Sequence, residues 1–506
     1  MQLSFLLLAW CTQLISSRPT VESQAGATLS SGSVITGVVD ANYSSVRQFL
    51  GIPYAEPPLG DLRWEPPRAN QLPATLNATT LGRSCTQFVT KIPNAHNTVV
   101  PEHTIADANS TGEDCLTLSV WTPENATNLP VLIFFYGGGW YMGGQNTPYQ
   151  IPTQWVQRTK DLIVVVPNTR GNIFGFPNAR GVKDQNLGLL DQRLAVEWVR
   201  DHIGAFGGDS KKITIWGQSS GAEAVDLYSI AWHQDPIVNG LIMDSGTALI
   251  EDGKGPRYSN FSYVAAQVGC GNATTAADEL VCMKKVDAAK LEAVLQKNLD
   301  ENGMHHGNGS MGNTLGFGAS ADERTYFSNY AERIQQGKVA KVPAIIGINK
   351  DDGNTLAPFS LSGPDQAICD MYFQMVFLCP SYMTSKIRAS AGIPTYRFFY
   401  SGNFSNISPL PWMGAAHSSE LPMLFGTHGN YRGVSTPYQI AVSEAMQDAW
   451  RAFANDPESG LVGQNWPAYT PDYDVVRVFG ETGTVARNAA DLLKASEDQC
   501  SNSMVW

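Results

Sequence analysis

The sequence predicts an α/β protein: a large, mostly parallel central sheet flanked by helices. Two observations carry that expectation. Several short runs are apolar throughout, as strands covered on both faces must be, and stretches with helical apolar spacing lie between them. The strand runs are residues 131–135 (VLIFF), 162–166 (LIVVV), 213–216 (ITIW), 241–243 (LIM) and 344–348 (AIIGI).

Among the helices, Leu187, Leu190, Leu194 and Trp198 recur at steps of three and four and form one apolar stripe, with Asp184 or Asn186 to cap its start. Residues 436–456 predict a late amphipathic helix. Residues 51–67 (GIPYAEPPLGDLRWEPP) are crowded with Pro and Gly and predict a rigid, non-helical surface run. The Gly/Asn-rich residues 301–320 predict a long loop. There is no internal repeat and no linker, so one domain is expected over residues 18–506.

Hydrophobic residues make up 43% of the chain and charged ones 16%, which suits a large core and excludes a disordered chain. The formal net charge of −12 repels phosphate backbones and argues against a nucleic-acid partner. Residues 3–15 are mostly apolar, too short to span a bilayer, and are followed by Ser16 and Ser17. That pattern predicts a signal peptide over residues 1–17 and secretion. No other stretch is long and apolar enough for a membrane span, so integral membrane association is not expected. Nine N-x-S/T sequons, at Asn42, Asn77, Asn109, Asn125, Asn260, Asn272, Asn308, Asn403 and Asn406, predict surface glycosylation. Of eight cysteines, Cys11 lies in the leader, which leaves an odd seven. Cys369, Cys379 and Cys500 allow any of three pairs and one free thiol.

The strongest chemistry lies at Gly217-Gln218-Ser219-Ser220-Gly221, a G-x-S-x-G pattern between a predicted strand and a helix-forming stretch at residues 222–231. A sharp strand-to-helix turn holds the serine oxygen proud of the sheet. Its glycines leave room where side chains would clash. The amide of Ser220 and the helix N-terminus then face a developing oxyanion. A second cluster, Gly137-Gly138-Gly139, follows the strand at 131–135 and resembles an HGGG-type oxyanion loop with Tyr136 in place of His. In this arrangement an acid and then a histidine follow the serine. Asp351 and Asp352 come directly after the strand at 344–348. Asp352 is the choice, because adjacent side chains point differently. Beyond them stand only His417, among small residues, and His428, in a turn context; His417 is the expected base. His305-His306 has no spaced Cys or carboxylate partners, so no metal is expected, and the chemistry needs no cofactor.

These residues resemble the type-B carboxylesterase (cholinesterase-like) family of the α/β-hydrolase fold. The matching segments are GIPYAEPPLGDLRWEPP, GEDCLTLSVWTP, FFYGGGW, NLGLLDQRLAVEWVRDHIGAFGGD, ITIWGQSSGA, GINKDDG and GAAHSSELP. Leader and sequons would suit a fungal secreted member. The resemblance implies Ser219, Asp352 and His417 as a triad and Gly138, Gly139 and Ser220 as the oxyanion hole. It also implies Glu420 and Ser245 as polar support behind the base, bridges Cys85–Cys115 and Cys270–Cys282, and an ion pair between Arg63 and Glu113.

The sequence departs from the family in three ways. The acid is Asp where the family usually carries Glu. Gln218 precedes the serine where Glu is common, which removes a charge that would attract cations. No Trp lies between Cys85 and Cys115, so cation–π binding of choline esters is not expected. That same segment is polar and Pro-interrupted, without the apolar stripe of an interfacial lid. The expected substrate is therefore a soluble small-molecule ester with a short or medium acyl chain. A lipase acting on triglycerides is the alternative, and a non-catalytic binding or adhesion protein on the same scaffold is a third reading. The sequence leaves the oligomeric state open.

Overall fold

The computed structural model describes residues 21–88, 90–250, 255–302 and 315–500. The leader at 1–17, the His305-His306 pair and the Asn308 sequon lie outside them. Among the described residues the main sheet has 13 strands. At its centre Ile163–Pro167, Leu129–Phe135, Gly208–Gln218, Gly240–Asp244, Ala344–Asn349, Thr395–Tyr400 and Val475–Glu481 lie side by side, all parallel. Antiparallel strands extend both edges, Thr117–Pro123 on one side and Thr484–Ala490 on the other.

Apolar runs without alternation form the centre because both faces are covered. Val131, Ile133 and Phe135 enter one apolar cluster, whereas Leu132 and Phe134 enter another on the opposite face. Ile215 and Trp216 divide in the same way, as do Met243 and Ile242, and Ile346 and Ile345. Each such side chain contributes on the order of 1.5–3 kcal/mol by leaving water, and a polar residue at any of them would forfeit that and need a partner. The sequence reading found these five strands and missed Thr395–Tyr400 (TYRFFY) and Val475–Glu481 (VVRVFGE), where polar residues interrupt the runs. Arg397 explains the first. It is buried but pairs with Asp474, 2.6 Å away, and with Glu497.

The helix Leu187–His202 is broader in burial than the expected stripe. Leu187 and Trp198 are buried, but Leu190 and Leu194 are only half-buried, while Leu189, Ala195 and Val199 are buried. The reason is that the helix is enclosed: its residues divide among three separate apolar clusters. Asn186 occupies the cap position without capping. Its side chain instead donates to Ser320 O at 2.8 Å and Thr325 Oγ1 at 2.9 Å, and Asp184 pairs with Arg324. The late helix is Pro437–Asn455, where Thr436 accepts from the amide of Gln439 at 3.1 Å and Pro437 fills the first turn.

Two expectations about loops need correction. Residues 51–67 are not a surface run: Ile52, Tyr54, Ala55, Arg63 and Trp64 are buried. Tyr54 donates to Asn168 O at 2.7 Å and Trp64 to Ile173 O at 2.8 Å, so the prolines shape a segment that packs inward. The first two residues of the expected loop at 301–320 belong instead to helix Ala288–Asn302, and 303–314 lie outside the described residues. Disulfides join Cys85 to Cys115, Cys270 to Cys282 and Cys379 to Cys500, and Cys369 is a buried thiol. No described helix is long and apolar enough to cross a membrane.

Of the described sequons, Asn42, Asn77, Asn109, Asn125, Asn272 and Asn403 are exposed and Asn260 is half-buried. Asn406 contradicts the surface expectation. It is buried, donates to His428 O at 2.8 Å and accepts from Gln439 at 2.8 Å, which leaves no room for a glycan.

Candidate active site

Ser219 sits between strand Gly208–Gln218 and helix Ser220–Ala231 with φ 55° and ψ −128°, a strained conformation for a non-glycine residue. The flanking glycines are required by space. A Cβ on Gly217 would lie 2.1 Å from Gly221 O, and one on Gly221 would lie 2.0 Å from Phe135 O. The turn is anchored by the Ser219 amide, which donates to Asp244 O at 2.8 Å on the adjacent strand.

The Gly137–Gly139 loop lies against this turn. A Cβ on Gly137 would approach Ser219 Cβ to 2.8 Å. Gly138 (φ 118°) and Gly139 (φ 63°) take left-handed backbone, which glycine adopts without a Cβ clash. The Trp140 amide donates to Ser220 Oγ at 3.3 Å, which ties the loop to the helix start. Tyr136, standing where an HGGG-type loop has His, accepts from the Thr169 amide at 3.0 Å and donates to Thr169 O at 3.2 Å. It fastens the loop to the neighbouring strand end.

Asp352 and His417 meet behind the serine. His417 Nδ1 lies 2.8 Å from Asp352 Oδ1, both residues being buried. The other carboxylate oxygen accepts from Ser245 Oγ at 2.8 Å and from the Asn349 amide at 2.7 Å. Asp351 points elsewhere. It accepts from the Ala415 amide at 2.8 Å and so pins the loop that carries His417. His428 bonds Ser435 Oγ at 2.5 Å. At Nε2 of His417 the hydrogen bond comes from Gln218 Nε2, at 3.2 Å, and not from Ser219, whose hydroxyl has no hydrogen bond among the described residues. The structure thus sets Gln218, not Ser219, against Nε2 of His417; a catalytic serine–histidine bond can tighten only in the substrate complex.

Three surrounding groups were not legible beforehand. Asn349 bridges the support: its side-chain amide donates to Ala416 O at 2.9 Å and to the Glu420 carboxylate, and so links Glu420 to the base loop. Asp244 accepts from Trp216 Nε1 at 2.6 Å. Burial holds Asp244 and Glu420 well above the usual carboxylate range, and the charge of Asp352 adds to both. Third, His96 and His103, from the segment between Cys85 and Cys115, pack beside His417. Their rings are 5.8 Å apart, and burial pushes His96 down to about 4 and His103 well below its usual value, with His417 contributing to each. The sequence reading treated this segment as polar and Pro-interrupted, without an apolar stripe. In fact Val100 packs with Met413 and Ala416, and Arg432 clasps Val99 O at 3.0 Å and Glu102 at 2.5 Å. Opposite, Phe377 on the π-turn Phe373–Leu378 covers His417, ring centroids 4.8 Å apart.

Farther out, Arg63 and Glu113 form a bidentate pair with both contacts at 2.6 Å, and Arg63 also donates to Val286 O at 2.6 Å. Arg170 and Asp191 form a second, more deeply buried pair, 2.7 and 2.9 Å, which the sequence did not announce.

The Carboxylesterase family model matches residues 24–368 and 363–496. A chlorogenic acid esterase of Aspergillus niger is 41% identical, covering 95% of this chain and 96% of that protein. Secreted lipase 5 of Gibberella zeae is 39% identical over 92% of each chain, and Lipase 4 of Diutina rugosa 31% identical over 89% and 90%. The chain belongs to the carboxylesterase family of the α/β-hydrolase fold and is a carboxylic-ester hydrolase.

Proposed function

We propose that this protein is a secreted serine esterase that works through an acyl-enzyme on Ser219. The observation that supports this most is the convergence of a strained serine, the Asp352–His417 pair and a left-handed glycine loop at one strand end. Ser219 Oγ attacks the ester carbonyl while its proton passes to His417 Nε2. The oxyanion is met by the amides of Gly138, Gly139 and Ser220, each such donor being worth on the order of 3 kcal/mol. The imidazolium, stabilised by Asp352, then protonates the departing alcohol. Water activated by the same ring releases the acid. Ser245 and Glu420 support Asp352 and the base loop, Glu420 through Asn349.

For substrate, soluble esters with short or medium acyl chains are favoured over triglycerides. The segment between Cys85 and Cys115, where an interfacial lid would move, is held by Arg432, by the Val100 cluster and by His96 and His103. Secretion rests on the leader and on relatives whose names include secreted lipases. Stoichiometric labelling of Ser219 by a fluorophosphonate, and loss of p-nitrophenyl ester hydrolysis in Ser219→Ala with the fold intact, test the chemistry. Full activity in Ser219→Ala would refute it. A panel of esters graded in acyl length, with chlorogenic acid included because one relative's name carries it, tests the specificity. Activity that jumps once substrate exceeds its solubility would favour the lipase.

A further inference from the structure

The hydrogen bond at Nε2 of His417 comes from the wrong neighbour for catalysis, and its chemistry is informative. Because Asp352 takes the Nδ1 hydrogen, Nε2 carries a lone pair. Only the –NH2 of Gln218 can bond there, and it lies 3.2 Å away. Gln218 ends strand Gly208–Gln218 and is buried. Its position is built rather than incidental: a Cβ on Gly137 would stand 2.6 Å from Gln218 Oε1, so glycine at 137 makes room for this amide.

We propose that Gln218 is a positioning residue for the general base. Its amide caps Nε2 of His417 in the resting enzyme and holds the ring as the neutral Nδ1–H tautomer until the Ser219 hydroxyl takes that place. The inference rests on the Ser219–His417–Asp352 reading above. When the Ser219 proton moves to Nε2 and the oxygen pair forms the acyl bond, the ring turns from acceptor to donor. The displaced Gln218 –NH2 cannot return to Nε2 while the ring carries that proton. The cap therefore favours the unprotonated base in the free enzyme and opposes premature protonation in acid. The titratable groups facing His417 are Asp352 at Nδ1 and His96 and His103 beside it, with Asp244 and Glu420 behind Asp352. All five are unchanged in the variants below, so differences between variants isolate position 218.

The experiment is the pH profile of kcat/KM for p-nitrophenyl acetate with the full-length enzyme, its Gln218→Met variant and its Gln218→Glu variant. Active sites are counted by fluorophosphonate titration. Removing a neutral donor moves the acid limb of Gln218→Met up by about half a pH unit. Gln218→Glu, an isosteric replacement, moves it further, because a carboxylate welcomes the imidazolium. A purely structural role would alter the titrated fraction or the plateau and leave the limb in place. An acid limb in Gln218→Met that coincides with wild type, or a limb in Gln218→Glu no higher than wild type, overturns the proposal while leaving the triad intact. Wild-type enzyme labelled at a residue other than Ser219 overturns both.

Discussion

Asp351 and Asp352 are adjacent in the chain and serve opposite sides of one histidine. Asp352 contacts the imidazole of His417 at 2.8 Å, while Asp351 accepts from the Ala415 amide, 2.8 Å away, two residues before that histidine. One carboxylate acts on the ring and the other on its backbone. Their substitutions should separate cleanly. Asp352→Asn is expected to lower kcat by roughly 10³–10⁴-fold with the fold preserved, since the ring loses its tautomer control. Asp351→Asn should cost at most about tenfold, with a lower melting temperature from a looser base loop. Steady-state kinetics and thermal melts on both variants check this.

Asp244 provides a test of the buried acids. Burial raises its carboxyl well above the usual range, so the native state keeps a proton that the unfolded chain releases once pH passes about 4. The native state is then penalised progressively as pH rises toward the folded value. Asp244→Asn retains an oxygen for Trp216 Nε1 and has no proton to lose. Its melting temperature relative to wild type should therefore climb between pH 4 and pH 8. A flat difference would mean that Asp244 ionises normally.

His96 works in the opposite sense. Its folded value is depressed to about 4 from an ordinary 6.5, chiefly by burial. The stability that its neutral form allows is present above pH 6.5 and is lost as pH falls toward 4. His96→Gln should flatten the wild-type decline of melting temperature across that window. Melts at half-unit pH steps measure it.

The glycines of the turn predict a steric contrast. Gly221→Ala places a carbon 2.0 Å from Phe135 O, a backbone atom that cannot step aside. We expect activity to fall at least 100-fold, with destabilisation of about 3 kcal/mol or more. Gly204→Ala, with nothing within 4 Å of the added carbon, should stay within about 0.5 kcal/mol of wild type. Denaturant unfolding and specific activity compare the two.

Arg63, buried, and Glu113, half-buried, hold the Cys85–Cys115 segment to the body of the protein through a bidentate pair. Glu113→Gln leaves a buried guanidinium short of its anion. It should destabilise by about 3 kcal/mol, read as a lower denaturation midpoint at unchanged slope.

Local chemistry made much of this protein legible in one dimension. Apolar runs without alternation require cover on both faces, so the five strands could be read, and glycines around a serine mark a turn that admits no other residue. The candidates Ser219, Asp352 and His417 were chosen from residue type and order. What folding alone decided is which atoms meet. No local pattern says that Cys379 closes on Cys500, that Asn406 is buried, that Asn349 stands between Glu420 and the base loop, or that two histidines from a polar-looking segment pack beside a third. These depend on contacts between stretches up to hundreds of residues apart. Burial, which reverses the fate of a polar side chain, is a property of the surroundings and not of the residue.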